Sequence, residues 1–272
     1  MKFSIITITY NRGYLIAETI QSVLNQTHQD FEHIIVDDGS TDETEKIVKN
    51  FNDNRIKYFG MKRIGNLNTL RNFGIKKSSG TVIALLDSDD IWVANKLEIV
   101  VEVFNSNNEI KFITHDITYF KTTSKLKSSY YSFQHDFFEK TPSKVLLFEI
   151  LPFPNFVFKK EIITTVGLLN ESFYEGLQDF LFKVACHYKV YYIANTLTYM
   201  RLHDSNIHNV SNGYRYYTDY YRSVFSLLLN RQINFFLFSK GMFLNTKNFM
   251  KHISKNNGCK SRLVAERLKN IP

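Results

Sequence analysis

The stretch Thr81-Val82-Ile83-Ala84-Leu85-Leu86-Asp87-Ser88-Asp89-Asp90 joins a short apolar run to three carboxylates. The run follows Ser78-Ser79-Gly80 and has a β-branched start, which predicts a buried parallel strand. The three aspartates then lie together at the carboxyl end of that strand. This is the edge where open α/β sheets place their ligands.

Carboxylates crowded at one strand end repel each other, so a cation is their natural partner. An all-oxygen ligand set favours a hard ion, Mn²⁺ or Mg²⁺, which commonly bridges protein carboxylates to phosphates. The alternative is a turn rich in Asp and Ser that caps the next helix. The residues of this stretch alone leave both interpretations open.

The composition of the 272-residue chain is that of a globular protein with one large domain, or one domain and an appendage. A net charge of +8 favours anionic ligands such as nucleotides, phosphates, nucleic acid or an acidic membrane surface. Cys186 and Cys259 lack metal-site spacing, which argues against zinc and a disulfide framework. With no predicted signal peptide or membrane span, we expect a cytoplasmic protein, with peripheral contact at the inner face of the membrane as an open alternative.

Strand-like and helix-like patterns alternate through the first hundred residues. Phe3 to Thr9, Phe31 to Val36 and Arg55 to Phe59 resemble strands, and Ser40 with Glu43 has the spacing of a helix-capping box. Repeated βα units predict a mostly parallel sheet with helices on both faces. Residues 9–12, 37–39 and 87–90 each follow a strand, so we expect them to converge on one cleft.

The pattern loosens beyond residue 110. Lys111 to Thr114 and Asn155 to Phe158 are predicted strands, and residues 121–144 suit a mobile loop. Two helices are predicted within Tyr214 to Asn230 and Phe235 to Lys251. Their apolar positions suit packing on the main domain, a homo-oligomer contact or a membrane surface.

Four motifs in this order and spacing resemble the family 2 glycosyltransferases, which are inverting nucleotide-sugar enzymes with the GT-A fold. The motifs are Ile5-Ile6-Thr7-Ile8-Thr9-Tyr10-Asn11-Arg12, Ser22-Val23-Leu24-Asn25-Gln26-Thr27, Ile34-Ile35-Val36-Asp37-Asp38-Gly39-Ser40-Thr41-Asp42 and Leu85-Leu86-Asp87-Ser88-Asp89-Asp90. Weaker matches continue through Val166-Gly167-Leu168-Leu169-Asn170-Glu171, Gln178-Asp179 and Tyr199-Met200-Arg201-Leu202-His203.

The resemblance implies a GT-A domain, an α/β fold with a Rossmann-like and mostly parallel central sheet, over residues 1–210. Within it, residues 1–110 would bind the nucleotide and residues 111–210 the acceptor. Residues 211–272 would form an α-helical carboxyl-terminal extension. The implied reaction is metal-assisted transfer from a UDP-sugar to a hydroxyl of a glycan, lipid-linked or glycoprotein acceptor, with Mn²⁺ or Mg²⁺ as cofactor. No nucleic acid is expected as a partner, because the sequence has no recognisable nucleic-acid-binding motif.

Site residues follow from the same resemblance. Asp38 would accept a hydrogen bond from the uracil N–H, and Asp179 would be the general base. Asp89 is the expected metal ligand, with His203 a second. The other nucleotide-side residues are Thr9, Tyr10, Asn11, Arg12, Arg71, Asp87 and Ser88, and the acceptor-side residues are Glu175 and Gln178.

Family members usually carry Glu-Asp where this chain has Gln178-Asp179. The departure leaves open whether position 178 orients the acceptor. Two rival functions also remain: an inactive GT-A module that binds nucleotide sugar or assembles a complex, and a sugar-phosphate nucleotidyltransferase. The loop Thr9-Tyr10-Asn11-Arg12-Gly13 lacks the glycine cluster typical of nucleotidyltransferases, which counts against the second rival.

Overall fold

The computed structural model describes residues 1–121, 124–129, 135–139, 155–173, 176–202, 213–243 and 246. The strands are β1 (Phe3–Thr9), β2 (Phe31–Asp37), β3 (Ile56–Gly60), β4 (Val82–Leu85), β5 (Ile91–Trp92), β6 (Phe112–Lys121), β7 (Ser124–Ser129), β8 (Phe137–Glu139), β9 (Val157–Lys159) and β10 (Val190–Arg201). The helices are α1 (Gly13–Leu24), α2 (Thr44–Asn50), α3 (Leu67–Lys77), α4 (Lys96–Ser106), α5 (Ile163–Val166), α6 (Gly176–His187) and α7 (Gly213–Leu229), and residues 235–243 are also helical.

The ten strands of the described residues form one sheet, whose main path runs β3-β2-β1-β4-β9-β6-β10-β5. The first four strands are parallel, and β10 is parallel to β6, whereas β9 lies antiparallel between β4 and β6. The predicted α/β fold class is therefore confirmed, with a parallel amino-terminal half and a mixed carboxyl-terminal half.

The strand register aligns the predicted site segments. Thr9 lies opposite Asp37, and Ile6 lies opposite Leu85. Because all three strands run in the same direction, the segments that follow β1, β2 and β4 leave the sheet at one edge.

Apolar side chains cover both faces of the sheet. One cluster joins β1, β2 and β4 to α3, α6 and α7, and includes Ile6, Leu70, Phe180 and Tyr220. The opposite face packs against α1 and α4, where Val23, Leu97, Val100 and Phe104 are buried. Helix α7 belongs to the first of these two clusters. The ring of Tyr220 packs edge-on against that of Phe182 in α6, with 5.5 Å between the ring centroids.

The structure corrects two local predictions. Part of the expected loop at 121–144 is strand: β7 pairs with β6, and β8 pairs with β10. The predicted capping box is also wrong, since α2 begins at Thr44 with no side-chain cap. Ser40 instead donates to Asp37 and accepts from Asn11 N, and thereby joins the loops after β1 and β2.

No helix in the described part of the chain is both long and apolar enough to cross a membrane. Phe235, Phe236 and Phe243 in the last described helix are exposed. The expected membrane or homo-oligomer contact through these helices stays a prediction, as does the division of the chain at residues 110 and 210.

Glu32, near the start of β2, is a buried carboxylate that links β2 to β1, to β3 and to the segment before β4. It accepts hydrogen bonds from Ser4 and Ser79, and Lys57 Nζ lies 2.5 Å from its Oε2. Burial acts to raise the pKa of Glu32, but the bonds from Lys57, Ser4 and Ser79 outweigh it and lower that pKa to about 2.

Replacement Glu32→Gln is expected to lower the free energy of unfolding by about 1–3 kcal/mol, because buried donors lose a charged acceptor. Chemical denaturation would measure this. Since the folded pKa lies below the ordinary value of 4.5, the stabilisation is present at neutral pH and is lost as the pH falls from 4.5 towards 2. Glu45→Gln, in the exposed pair with Lys49, is the control and should change little. Equal effects of the two variants would contradict the assignment.

Candidate active site

The three aspartates after β4 form a compact cluster. One carboxylate oxygen from each of Asp87, Asp89 and Asp90 lies within 4.8 Å of the others. Asp90 is buried, whereas Asp87 and Asp89 are half-buried at the sheet edge. An all-oxygen cluster of this size fits a hard divalent ion.

Burial raises the pKa of Asp90 well above its ordinary value, and the charges of Asp89 and Asp87 add to the effect. These three carboxylates are therefore held together against electrostatic repulsion. A divalent ion would relieve that repulsion, so the residues present fit Mn²⁺ or Mg²⁺.

Arg201, at the end of β10, holds both the backbone and a side chain of the acidic loop. Its backbone N–H donates to Asp90 Oδ1 at 3.0 Å, and its Nε donates to the carbonyl of Asp89 at 3.1 Å. Its Nη2 also donates to Glu18 Oε2 on α1 at 2.7 Å. Sequence reasoning quoted Arg201 within a motif but assigned it no role. The signal was that Arg201 is the one charged residue in the strand Val190–Arg201.

Two further arginines flank the cluster. Arg12 Nε, in the loop after β1, lies 3.7 Å from Asp89 Oδ2. Arg71 is buried in α3, with Nη2 3.5 Å from Asp87 Oδ1. The predicted convergence of residues 9–12 with residues 87–90 is therefore confirmed, whereas a single cleft shared with residues 37–39 stays a prediction. Acidic and basic side chains lie side by side along this edge.

Hydrogen bonds hold the loop Thr9–Arg12 against the start of α2. Asn11 adopts a positive φ of 50°, which asparagine tolerates better than most residues. Its N–H donates to Ser40 Oγ, and its Oδ1 accepts from Thr41 N. Thr9 Oγ1 is buried and has no hydrogen-bond partner among the described residues. Ser88 is buried within the acidic loop.

The two aspartates after β2 have different surroundings. Asp37 accepts hydrogen bonds from Ser40 and from the Tyr58 hydroxyl, so its carboxylate stabilises the loop after β2 and its contact with β3. Asp38 instead accepts from Ile64 N at 2.6 Å and Gly65 N at 2.9 Å, and it pairs with Arg63. The loop before α3 therefore closes over Asp38.

Arg63 also covers Tyr10, with its guanidinium carbon 3.6 Å from the ring centroid. A Cβ on Gly39 would lie 2.9 Å from Arg63 N, so this close approach of the two loops requires glycine. Sequence reasoning missed Arg63, because no local pattern shows that residues 25 positions apart meet.

Asp179 lies in the first turn of α6 and is buried, as is Gln178 beside it. Lys183 Nζ lies 2.7 Å from Asp179 Oδ2, which is an ion-pair distance. Its geometry is not that of a hydrogen bond, and Oδ2 has no hydrogen-bond partner among the described residues. Asp179 is therefore a buried carboxylate paired with a lysine one turn further along α6. Glu175 and His203 lie outside the described residues.

Known proteins resemble the chain both in sequence and in fold. The family profile described as "Glycosyl transferase family 2" matches residues 4–167. The Escherichia coli protein WfaP, a UDP-Glc:alpha-D-GlcNAc-diphosphoundecaprenol beta-1,3-glucosyltransferase, is 30% identical over 212 residues, which cover 75% of this chain and 78% of WfaP. The E. coli protein WfgD, which has the same activity in its name, is 43% identical over 105 residues, 39% of this chain and 42% of WfgD.

An uncharacterized glycosyltransferase of Rickettsia bellii is 47% identical over 40% of this chain, but the match spans only 16% of that longer protein. The crystal structure of S. aureus TarS residues 1–349 superposes with a TM-score of 0.73 over 95% of this chain and 74% of TarS, at 20% identity. That likeness shows a shared fold. The family profile and the alignment with WfaP each cover more than half of this chain. The chain therefore belongs to the family 2 glycosyltransferases.

Proposed function

We propose that the chain is an inverting glycosyltransferase that moves a sugar from a UDP-sugar to a hydroxyl of a lipid-linked glycan. The observation that carries the proposal is the carboxylate cluster of Asp87, Asp89 and Asp90, flanked by Arg12 and Arg71. Acidic and basic groups side by side suit a nucleoside diphosphate that is held both through a divalent ion and by guanidinium groups.

The comparisons support the choice of donor and acceptor. WfgD and WfaP are named for UDP-glucose as donor and an undecaprenol diphosphate glycan as acceptor. TarS structures contain UDP or UDP-GlcNAc. UDP-glucose, then UDP-GlcNAc, are the first donors to test, and GlcNAc-diphosphoundecaprenol is the first acceptor.

The nucleotide would lie along the edge formed by the ends of β1, β2 and β4. Asp38 would accept a hydrogen bond from the uracil N–H, and the loop Thr9–Arg12 would line the base and the ribose. Because the half-exposed Arg63 now pairs with Asp38 and covers Tyr10, it would move aside or turn to contact the nucleotide. Arg12, Arg71 and Ser88 would lie near the diphosphate.

In the reaction, Asp179 would take the proton of the acceptor hydroxyl as that oxygen attacks the anomeric carbon. The bond from the anomeric carbon to the diphosphate oxygen breaks, UDP departs, and attack from the opposite face inverts the configuration. Arg12 and Arg71 would stabilise the departing diphosphate. A divalent ion held by Asp89 and Asp87 would supply further charge neutralisation there.

Donor turnover is the direct test of this function. Purified chain with Mn²⁺ should release UDP from UDP-glucose or UDP-GlcNAc in a mass-spectrometric panel of nucleotide sugars. Asp89→Asn should lower the rate by about 10²–10³-fold, the usual cost of removing one electrostatic contact to a developing charge. Asp30→Asn, at an exposed aspartate, is the control. A wild-type chain inert towards every donor would favour the non-catalytic module, and an active Asp89→Asn variant would contradict the metal assignment.

The assignment of the general base has its own test. Asp179→Asn should reduce transfer to the acceptor by about 10²–10⁴-fold, because proton removal is lost. Calorimetry should show UDP affinity unchanged, since the residue contacts the acceptor side. A parallel loss of UDP affinity would show that Asp179 supports nucleotide binding instead.

A further inference from the structure

Asn68, in the first turn of α3, joins the two halves of the candidate site. It is fully buried, and its Nδ2 donates to the carbonyls of Asn170 at 3.1 Å and Phe173 at 2.9 Å. Its Oδ1 accepts from Gly176 N, the first residue of α6, at 3.1 Å. Both protons and the acceptor oxygen of one side-chain amide are therefore committed to the segment that leads into α6.

The contact between Asn68 and Gly176 leaves no space for a side chain at position 176. A Cβ on Gly176 would lie 2.7 Å from Asn68 Cγ and Nδ2, closer than real contacts allow. The first turn of α6, which carries Asp179, is therefore set directly against the Asn68 amide. A shift of that amide would move the turn that holds the carboxylate.

The same face of α3 reaches the acidic loop. Arg71 follows Asn68 by three residues, a spacing that places both on one side of a helix. Its Nη2 lies 3.5 Å from Asp87 Oδ1. One turn of α3 thus spans from the donor-side carboxylates to the start of the helix that bears Asp179.

We propose that Asn68 is a positioning residue that holds Asp179 in register with the donor site. This inference rests on the proposed function and adds to it a residue that contacts neither nucleotide nor acceptor. Misplacing a reacting group by about 1 Å can cost on the order of 10²-fold in rate. Asn68 therefore acts on the rate of transfer and not on donor affinity.

Asn72 provides a matched control on the same helix. It is also buried, and it exchanges hydrogen bonds with the Leu169 backbone and donates to Glu171. These contacts hold the loop before α6 but do not touch α6 itself. Loss of Asn72 therefore removes a comparable number of bonds without releasing the turn of Asp179.

The experiment compares Asn68→Ala and Asn72→Ala in the full chain with UDP-glucose and acceptor. Asn68→Ala should lower kcat for transfer by about 10–100-fold, with KM for the donor and UDP affinity unchanged. Asn72→Ala should lower the melting temperature to a similar extent while leaving kcat close to the wild-type value. Gly176→Ala should reproduce the kcat loss from the opposite side of the contact, which covers the case in which Asn68→Ala does not fold.

A kcat loss shared equally by Asn68→Ala and Asn72→Ala, or a loss of UDP affinity as large as the loss of kcat, would overturn the positioning role. Combining Asn68→Ala with Asp179→Asn adds a second criterion. If Asn68 acts through Asp179, the double variant should transfer no more slowly than Asp179→Asn alone. An additive loss would contradict the inference. A wild-type chain that turns over no UDP-sugar would instead refute the proposed function, and the inference with it.

Discussion

Electrostatic repulsion among three carboxylates at the end of β4 is the constraint around which the site is built. Asp87, Asp89 and Asp90 are held together although burial and mutual charge raise the pKa of Asp90. Cationic side chains from several elements of the fold lie against the cluster and offset that repulsion. Arg12 comes from the loop after β1, Arg71 from α3, and Arg201 from β10. Each element is brought to one edge by the order and register of the sheet.

Beneath the loop lies a lysine that is fully buried. Lys96 Nζ donates to Thr198 Oγ1 at 3.2 Å and lies 3.9 Å from the Trp92 ring centroid. Burial lowers the pKa of Lys96 well below its usual value, and Asp90 opposes that change. Asp90 is thus linked electrostatically to Lys96 beneath it and to Arg201 at the end of β10.

The sequence predicts the amino-terminal half well because its βα units are local. Apolar patterning identifies β1, β2, β3 and β4, and the helix between consecutive strands makes those strands parallel. That the aspartates after β4 meet the loop of Arg12 is then a consequence of topology. The position of residues 9–12 and 87–90 at one edge of the sheet therefore follows from the sequence pattern.

Beyond residue 110 the sequence predicts single elements, such as β6, β9 and α7, but not how they pair and pack. Strands β5 and β8 are short, and they form because β10, far along the chain, offers them a partner. Strand β7 pairs with β6 directly before it but lacks apolar periodicity. The roles of Arg201, Arg63 and Asn68 depend on contacts between residues 25 to more than 100 positions apart. These contacts cannot be predicted from any short stretch of sequence, because they form only when the chain is folded and packed.

Crystals grown with UDP and Mn²⁺, measured at the manganese absorption edge, would test the central claim most directly. The account predicts an anomalous peak within about 2.2 Å of the Asp89 carboxylate, a typical oxygen-to-metal distance. It also predicts the diphosphate beside that peak and the uracil near Asp38. A nucleotide bound elsewhere, or manganese bound away from Asp87 and Asp89, would contradict the account.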